Sequence, residues 1–165
     1  MHPFSTPHRS PSRQRGRPAE ADPADPVAYV FRHGGVRAGV ATDLGHYPYY
    51  LLQRHLAACD LLVLEFNHDP ELLRRCERPE WVKQWIRQDQ GHLSNEQGAR
   101  LLGDLLRHDQ RLAALVLAHL SEDNNTPELA LEAARAVLRH FRVEERIELK
   151  VAGPLEPVTI GVRRR

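Results

Sequence analysis

Three apolar runs in this sequence end on residues that can hold a metal ion or move a proton. The run VRAGVAT (residues 36–42) leads into Asp43-Leu44-Gly45-His46. DLLVLEF (60–66) passes through Glu65 into Asn67-His68-Asp69. LAALVLA (112–118) stops at His119, where Ser121, Glu122, Asp123, Asn124 and Asn125 crowd into one short loop. A fourth polar piece, Gly91-His92-Leu93-Ser94-Asn95, precedes another apolar stretch. Imidazole and carboxylate groups gathered at strand ends are what a catalytic divalent ion needs. Read singly, each has a plainer use. Asp43 before Gly45 suits a turn or cap, His68 a strand terminator, and His92 a surface loop.

The elements between these residues decide whether they meet. VAYVFR and VRAGVAT, joined at His33-Gly34-Gly35, read as a β-hairpin. YYLLQRHLAAC carries apolar residues at helical spacing. DLLVLEF and LAALVLA are continuous apolar runs, the pattern of strands buried on both faces. Short helices are expected around residues 70–75 and 79–88. Ser94 with Gln97 forms a capping box ahead of the stripe Leu101, Leu102, Leu105 and Leu106. Thr126 as N-cap with Pro127 at the first helical position starts a helix running to about His140. IELKVA and VTIGV read as closing strands. Strands alternating with helices predict an α/β layered sheet, whose ligands sit beyond the carboxyl ends of the strands. If the three runs are parallel neighbours, Asp43, Glu65, His68, Asp69 and His119 share one rim.

At 165 residues the chain has room for one ordinary domain. A net charge of +1 gives no global pull toward nucleic acid or membrane. Cys59 and Cys76 lack paired spacing, which points to a reducing compartment. No apolar run approaches 18 residues and no secretory signal is evident, so a soluble cytoplasmic protein without a membrane partner is expected. Residues 1–26 hold six prolines and four arginines and no acid before Glu20. They are read as a disordered tail, separate from a domain at 27–165. Their composition also resembles a transit peptide, which the prolines count against.

The pieces GVATDLG (39–45), LVLEFNHDPELLR (62–74), GHLSNEQGARLL (91–102) and AHLSEDNNTPELA (118–130) carry a resemblance. In this order they resemble the second half of a metallo-β-lactamase-fold hydrolase, within it the WalJ/YycJ-type exonuclease group. The resemblance covers about residues 25–138 and implies half of an αββα sandwich, a sheet flanked by helices. It implies Asp43 as the carboxylate bridging two divalent ions, zinc or manganese, and His119 as a terminal ligand of the second. His92 matches a histidine thought to protonate the leaving group in related tRNA 3′-processing nucleases. Glu65 matches an acidic position with a proton-handling or supporting role. His68 and Asp69 belong to the group's Asn-His-Asp signature, and Asn124 to the polar loop that supports the ligands. The implied chemistry is two-metal hydrolysis of phosphodiester type on a nucleic-acid substrate, with His92 as general acid.

The family's His-x-His-x-Asp-His motif does not occur in these residues, and Ala21 stands where a further histidine ligand is expected. The expectation is therefore an incomplete domain, its amino-terminal metal-binding half absent. Its apolar sheet face would be bare, or covered by a complementary chain or a second copy. The alternative to a working hydrolase is a non-catalytic remnant or partner-dependent half-domain. A third reading is a nucleic-acid-binding module built on the arginine tail and residues 163–165, which the near-neutral charge disfavours.

Overall fold

The computed structural model describes residues 2–5, 27–45, 49–89, 91–155 and 157–162. The first pairing is local. Strands β2 (Val27–His33) and β3 (Val36–Ala41) run antiparallel with His33 opposite Val36. Gly34 and Gly35, at φ 57° and 85°, make the two-residue turn between them. A two-residue turn with positive φ at both central positions matches the twist of the flanking strands, and glycine adopts that backbone without steric cost.

From β3 onward every connection crosses over to a parallel neighbour. β4 (Leu61–Glu65), β5 (Ala114–Ala118) and β6 (Glu148–Val151) follow in spatial order, all parallel to β3. With β1 (His2–Ser5) antiparallel at the β2 edge, the sheet has six strands in the order β1-β2-β3-β4-β5-β6. His2–Ser5 belongs to the segment read as a tail; residues 6–26 lie outside those described.

The helices are α1 (Tyr49–Leu56), α2 (Pro70–Arg75), α3 (Glu80–Arg87), α4 (Asn95–His108) and α5 (Pro127–His140). A 3₁₀ turn at Glu144–Arg146 precedes β6. The capping box of Ser94 and Gln97 is present, and Thr126 caps α5 by accepting from the Leu129 N–H at 3.3 Å. Because crossovers between parallel strands are right-handed, the monotonic strand order puts α1, α4 and α5 on one face. Leu62, Leu64, Leu115 and Leu117 point into that face. They share one core with Leu52 and Leu56 of α1, Leu101, Leu102, Leu105 and Leu106 of α4, and Ala130, Ala134 and Leu138 of α5. At roughly 2 kcal/mol for each fully buried leucine, this layer supplies most of the drive to fold. Helix α4 passes so near β4 that a Cβ at Gly98 would lie 2.6 Å from the Glu65 carbonyl oxygen.

Alternation turns Val40, Val63 and Val116, which lie in register across three strands, toward the opposite face. Val40 and Val63 are half-buried there and Val116 is buried. One strand expectation fails. VTIGV (158–162) joins no ladder, and β6 ends the sheet among the described residues. Pro154 and Pro157 interrupt the approach to it and cannot donate to a ladder. The segment is instead tied to β6 by Lys150 Nζ, which donates to the Thr159 carbonyl at 2.5 Å.

Candidate metal centre

Asp43 and His119 stand just beyond β3 and β5, the two parallel strands that flank β4, and both have left-handed backbone, φ 56° and 60°. The one other described non-glycine residue with positive φ is Arg142, after α5. Side chains with a Cβ avoid this region unless surrounding structure holds them there. Here it does. Asn67 Nδ2 donates to the His119 carbonyl at 2.8 Å, and the Ser121 N–H donates to the Asn67 carbonyl at 2.8 Å. Gly45 (φ 54°) packs the Asp43 turn against the loop before His92, where a Cβ would lie 2.1 Å from the Asp89 carbonyl oxygen.

Glu65, the last residue of β4, is fully buried between these two turns. Its Oε2 accepts from the Leu44 N–H at 2.8 Å. Its Oε1 lies 2.9 Å from both His92 Nδ1 and His119 Nδ1. Burial alone would push this carboxyl up; the hydrogen bonds from His119, His92 and Leu44 outweigh it and hold the pKa below the ordinary value. The same bond to Glu65 raises the pKa of His119 against the opposing effect of its own burial, and Asp43 adds to the rise. An ionised carboxylate can only accept, so each ring presents an Nδ1–H to Glu65.

In front of the rings, Asp43 Oδ1 lies 3.6 Å from His119 Nε2 and 3.7 Å from His92 Nδ1. Asp43, Glu65, His92 and His119 each bring a ligand atom within 4.8 Å of the others. The donor chemistry fits a divalent ion. Imidazole and carboxylate ligands near 2.1 Å in tetrahedral geometry sit about 3.4 Å apart, close to the Asp43–His119 spacing. The rings of His92 and His119 meet edge-on at 4.9 Å, and Trp85 of α3 meets His92 edge-on at 5.7 Å.

The structure thus brings together four of the residues singled out in the sequence, while His68, Asp69 and Asn124 stay outside the cluster. Asp69 caps α2, accepting from the Glu71 and Leu72 N–H groups at 2.9 Å. Asn124 is buried, and its carbonyl accepts from the Asp69 N–H at 2.8 Å. His68 is 3% exposed and its Nδ1 has no hydrogen-bond partner. The polar loop after His119 is largely a knot. Asn125 and Asn95 pair reciprocally at 2.9 Å, Asn125 Nδ2 also donates to the Phe66 carbonyl, and Asp123 pairs with Arg78. Sequence reading missed Trp85 at the site, because nothing in its spacing marks it.

His68 gives a prediction about pH. Burial pushes its pKa down to about 4; Glu65 and Asp69 oppose that, while His92 and Arg87 add to it. A group with a lowered pKa takes up its proton in the unfolded chain first. Stability is therefore full above about pH 6.5 and falls toward pH 4. Urea unfolding should show the parent losing about 2 kcal/mol more than His68→Asn between pH 7 and pH 5. Equal losses would show that His68 is not held neutral by the fold.

No family model matches the chain. Over 141 residues it is 33% identical to exodeoxyribonuclease YycJ of Bacillus anthracis, covering 84% of this chain and 52% of that protein. Over 71 residues it is 44% identical to exodeoxyribonuclease WalJ of Streptococcus pneumoniae serotype 2, covering 43% of this chain and 26% of that protein. Among solved structures, the CmlA β-hydroxylase E377D mutant aligns with a TM-score of 0.43 and 12% identity, over 77% of this chain and 26% of that one. That likeness says nothing about activity. The chain spans about half the length of its YycJ relative. The pieces that carry the resemblance are now seen to build one site, and the chain is a relative of the YycJ and WalJ proteins, similar to the first over 84% of its own length.

Proposed function

We propose that this chain carries the carboxylate–histidine side of a metal-dependent phosphodiesterase centre acting on DNA. The observation that supports this best is the double anchoring by Glu65. One buried carboxylate orients two imidazoles, so that His119 Nε2 opens toward Asp43 Oδ1. In this reading Asp43 and His119 hold a divalent ion, zinc or manganese. Bound there, the ion would polarise a phosphate oxygen and neutralise charge that develops on it. Glu65 fixes ring orientation and the position of the ring protons. His92, whose side chain is 18% exposed, faces both Glu65 and Asp43 and is placed to deliver a proton to the leaving oxygen. A two-metal centre needs more ligands than these residues bring together, and no His-x-His-x-Asp-His motif occurs among them.

A second reading is a half-domain that works only with a complementary chain. The half-buried Val40 and Val63 on the face away from the helices favour it. No described helix is long and apolar enough to cross a membrane.

The test is release of mononucleotides from end-labelled DNA with zinc or manganese added. Asp43→Asn and His119→Asn are the chosen variants because asparagine tolerates left-handed backbone and should leave the fold intact. Losing an interaction with the charge of the transition state should lower the rate by roughly a hundredfold or more in each. Hydrolysis that survives both substitutions would sink the assignment. No hydrolysis by the parent chain with either metal would shift weight to the partner-dependent half-domain.

A further inference from the structure

A cavity of about 830 Å³ lies beside the candidate centre, with His119 as a wall of both. One side is the loop that follows β5, with Leu120 and Ser121, and the start of α5 at Thr126. The other is the chain that leaves β6, with Val151, Leu155 and Val158. Strands β5 and β6 are parallel neighbours, so the cavity lies at their carboxyl ends, on the rim that also carries Asp43, Glu65 and His119. The far wall is fixed. The Ala152 N–H donates to the Leu117 carbonyl at 2.8 Å, extending the β5–β6 pairing past Val151, and Lys150 Nζ holds the Thr159 carbonyl.

The lining selects for a neutral guest. Leu120, Val151, Pro154, Leu155 and Val158 make it mostly apolar, and a guest seated there would cover Leu155, which is 92% exposed. Among the described residues no lysine or arginine lines it, and Glu122 brings a carboxylate that repels anions. Away from His119, that set holds nothing to balance a phosphate's charge. Two hydroxyls stand in the apolar wall. Ser121 Oγ accepts from the Asn124 N–H at 3.2 Å and Thr126 Oγ1 from the Leu129 N–H at 3.3 Å, so neither bond uses the hydroxyl proton. A mostly apolar cavity of this size with a few placed polar groups is the usual form of a small-molecule site. A flat, uncharged ring system with hydrogen-bonding edges fits it. Position narrows the choice to a nucleoside. A phosphate held at Asp43 and His119 is joined to its own sugar and base, and His119 is where the cavity begins.

We propose that this cavity takes the nucleoside on one side of the phosphate held at the centre. Its base lies against the apolar wall of Leu120, Val151 and Leu155, with its edge on the Ser121 and Thr126 hydroxyls. The inference rests on the nuclease reading above and adds to it a divided site. Charge is handled at Asp43, His92 and His119, and the neutral nucleoside is recognised beyond β5 and β6.

Gly153 supplies the test. It lines the cavity, its backbone is outside the left-handed region, and a Cβ there would meet no atom within 4 Å. Gly153→Trp therefore adds bulk at the cavity wall with its first side-chain atom in open space, and Gly153→Ala controls for the backbone change. The full chain, isotopically labelled and kept in EDTA, is titrated with thymidine, deoxyribose, p-cresol and inorganic phosphate while its amide resonances are followed. Thymidine should bind saturably in the millimolar range, shifting Leu120, Ser121 and Val151, with deoxyribose and p-cresol roughly tenfold or more weaker. Gly153→Trp should weaken thymidine by a similar factor, and Gly153→Ala should keep the parental affinity. Phosphate should leave the thymidine shifts unchanged. Displacement of thymidine by phosphate would make this an anion site and overturn the proposal. So would equal affinity for p-cresol or deoxyribose, parental affinity in Gly153→Trp, or no thymidine binding. The two readings fail separately, because this binding needs neither metal nor catalysis. A chain that takes thymidine but never cleaves DNA with metal keeps the cavity assignment and loses the hydrolase. A chain that cleaves DNA with KM unchanged in Gly153→Trp does the reverse.

Discussion

The Glu65→Ala variant should lose about 3 kcal/mol of folding stability and roughly ten- to a hundredfold in zinc affinity, although Glu65 would hold no ion itself. The stability loss has a definite origin. Glu65 is fully buried and accepts three hydrogen bonds, from His92, His119 and the Leu44 N–H. Truncation strands those donors, the Leu44 N–H among them. The affinity loss has another origin. Without the carboxylate, the His119 ring can rotate and its proton can move to Nε2, the atom that faces Asp43. Glu65→Gln separates the two effects. Its single amide oxygen can serve the histidines or Leu44 but not both groups, so a smaller stability loss should accompany a substantial affinity loss. Urea unfolding and calorimetric zinc titration read the two quantities. Unchanged zinc affinity in a folded Glu65→Gln protein would remove the positioning role assigned to this residue.

Asn125→Ala should be comparably damaging despite lying outside the cluster. Its carboxamide makes four hydrogen bonds: two with the Asn95 side chain, one to the Phe66 carbonyl and one from the Thr126 N–H. Asn95 is 3% exposed, so its own amide cannot turn to water when the partner goes. A loss of about 3 kcal/mol is expected. This pair joins the start of α4, three residues past His92, to the start of α5, six residues past His119. Slackening it should therefore also loosen the ring-to-ring geometry. The Asn95→Ala/Asn125→Ala double variant checks the mechanism, because removing both partners leaves fewer stranded groups than either single change. It should be more stable than the sum of the single losses implies, by about 1–2 kcal/mol. Simple additivity would mean that the two amides are not coupled.

Much of this protein follows from local rules that a sequence exposes. The Gly34-Gly35 turn, the Ser94–Gln97 box, the Thr126-Pro127 start and the apolar runs of β4 and β5 each depend on a few neighbouring residues. Each stands where the sequence places it. Parallel strands with ligands at their carboxyl ends put Asp43, Glu65 and His119 on one rim, and the quoted motifs add His92. What the chain order could not decide was distance. His68 and Asp69 follow Glu65 within four residues, yet the first is buried where its backbone bridges to Ser94 and the second caps α2. VTIGV has strand composition, yet it passes the outer edge of β6 without pairing, after Pro154 and Pro157 interrupt its approach. Trp85 meets His92 at a point where the His92 N–H is bonded back to the Ile86 carbonyl of α3, a contact no local pattern announces. The shared proton geometry of Glu65 with two rings depends on three segments 27 and 54 residues apart meeting at 2.9 Å, and close packing of the whole sheet and helix layer sets that meeting.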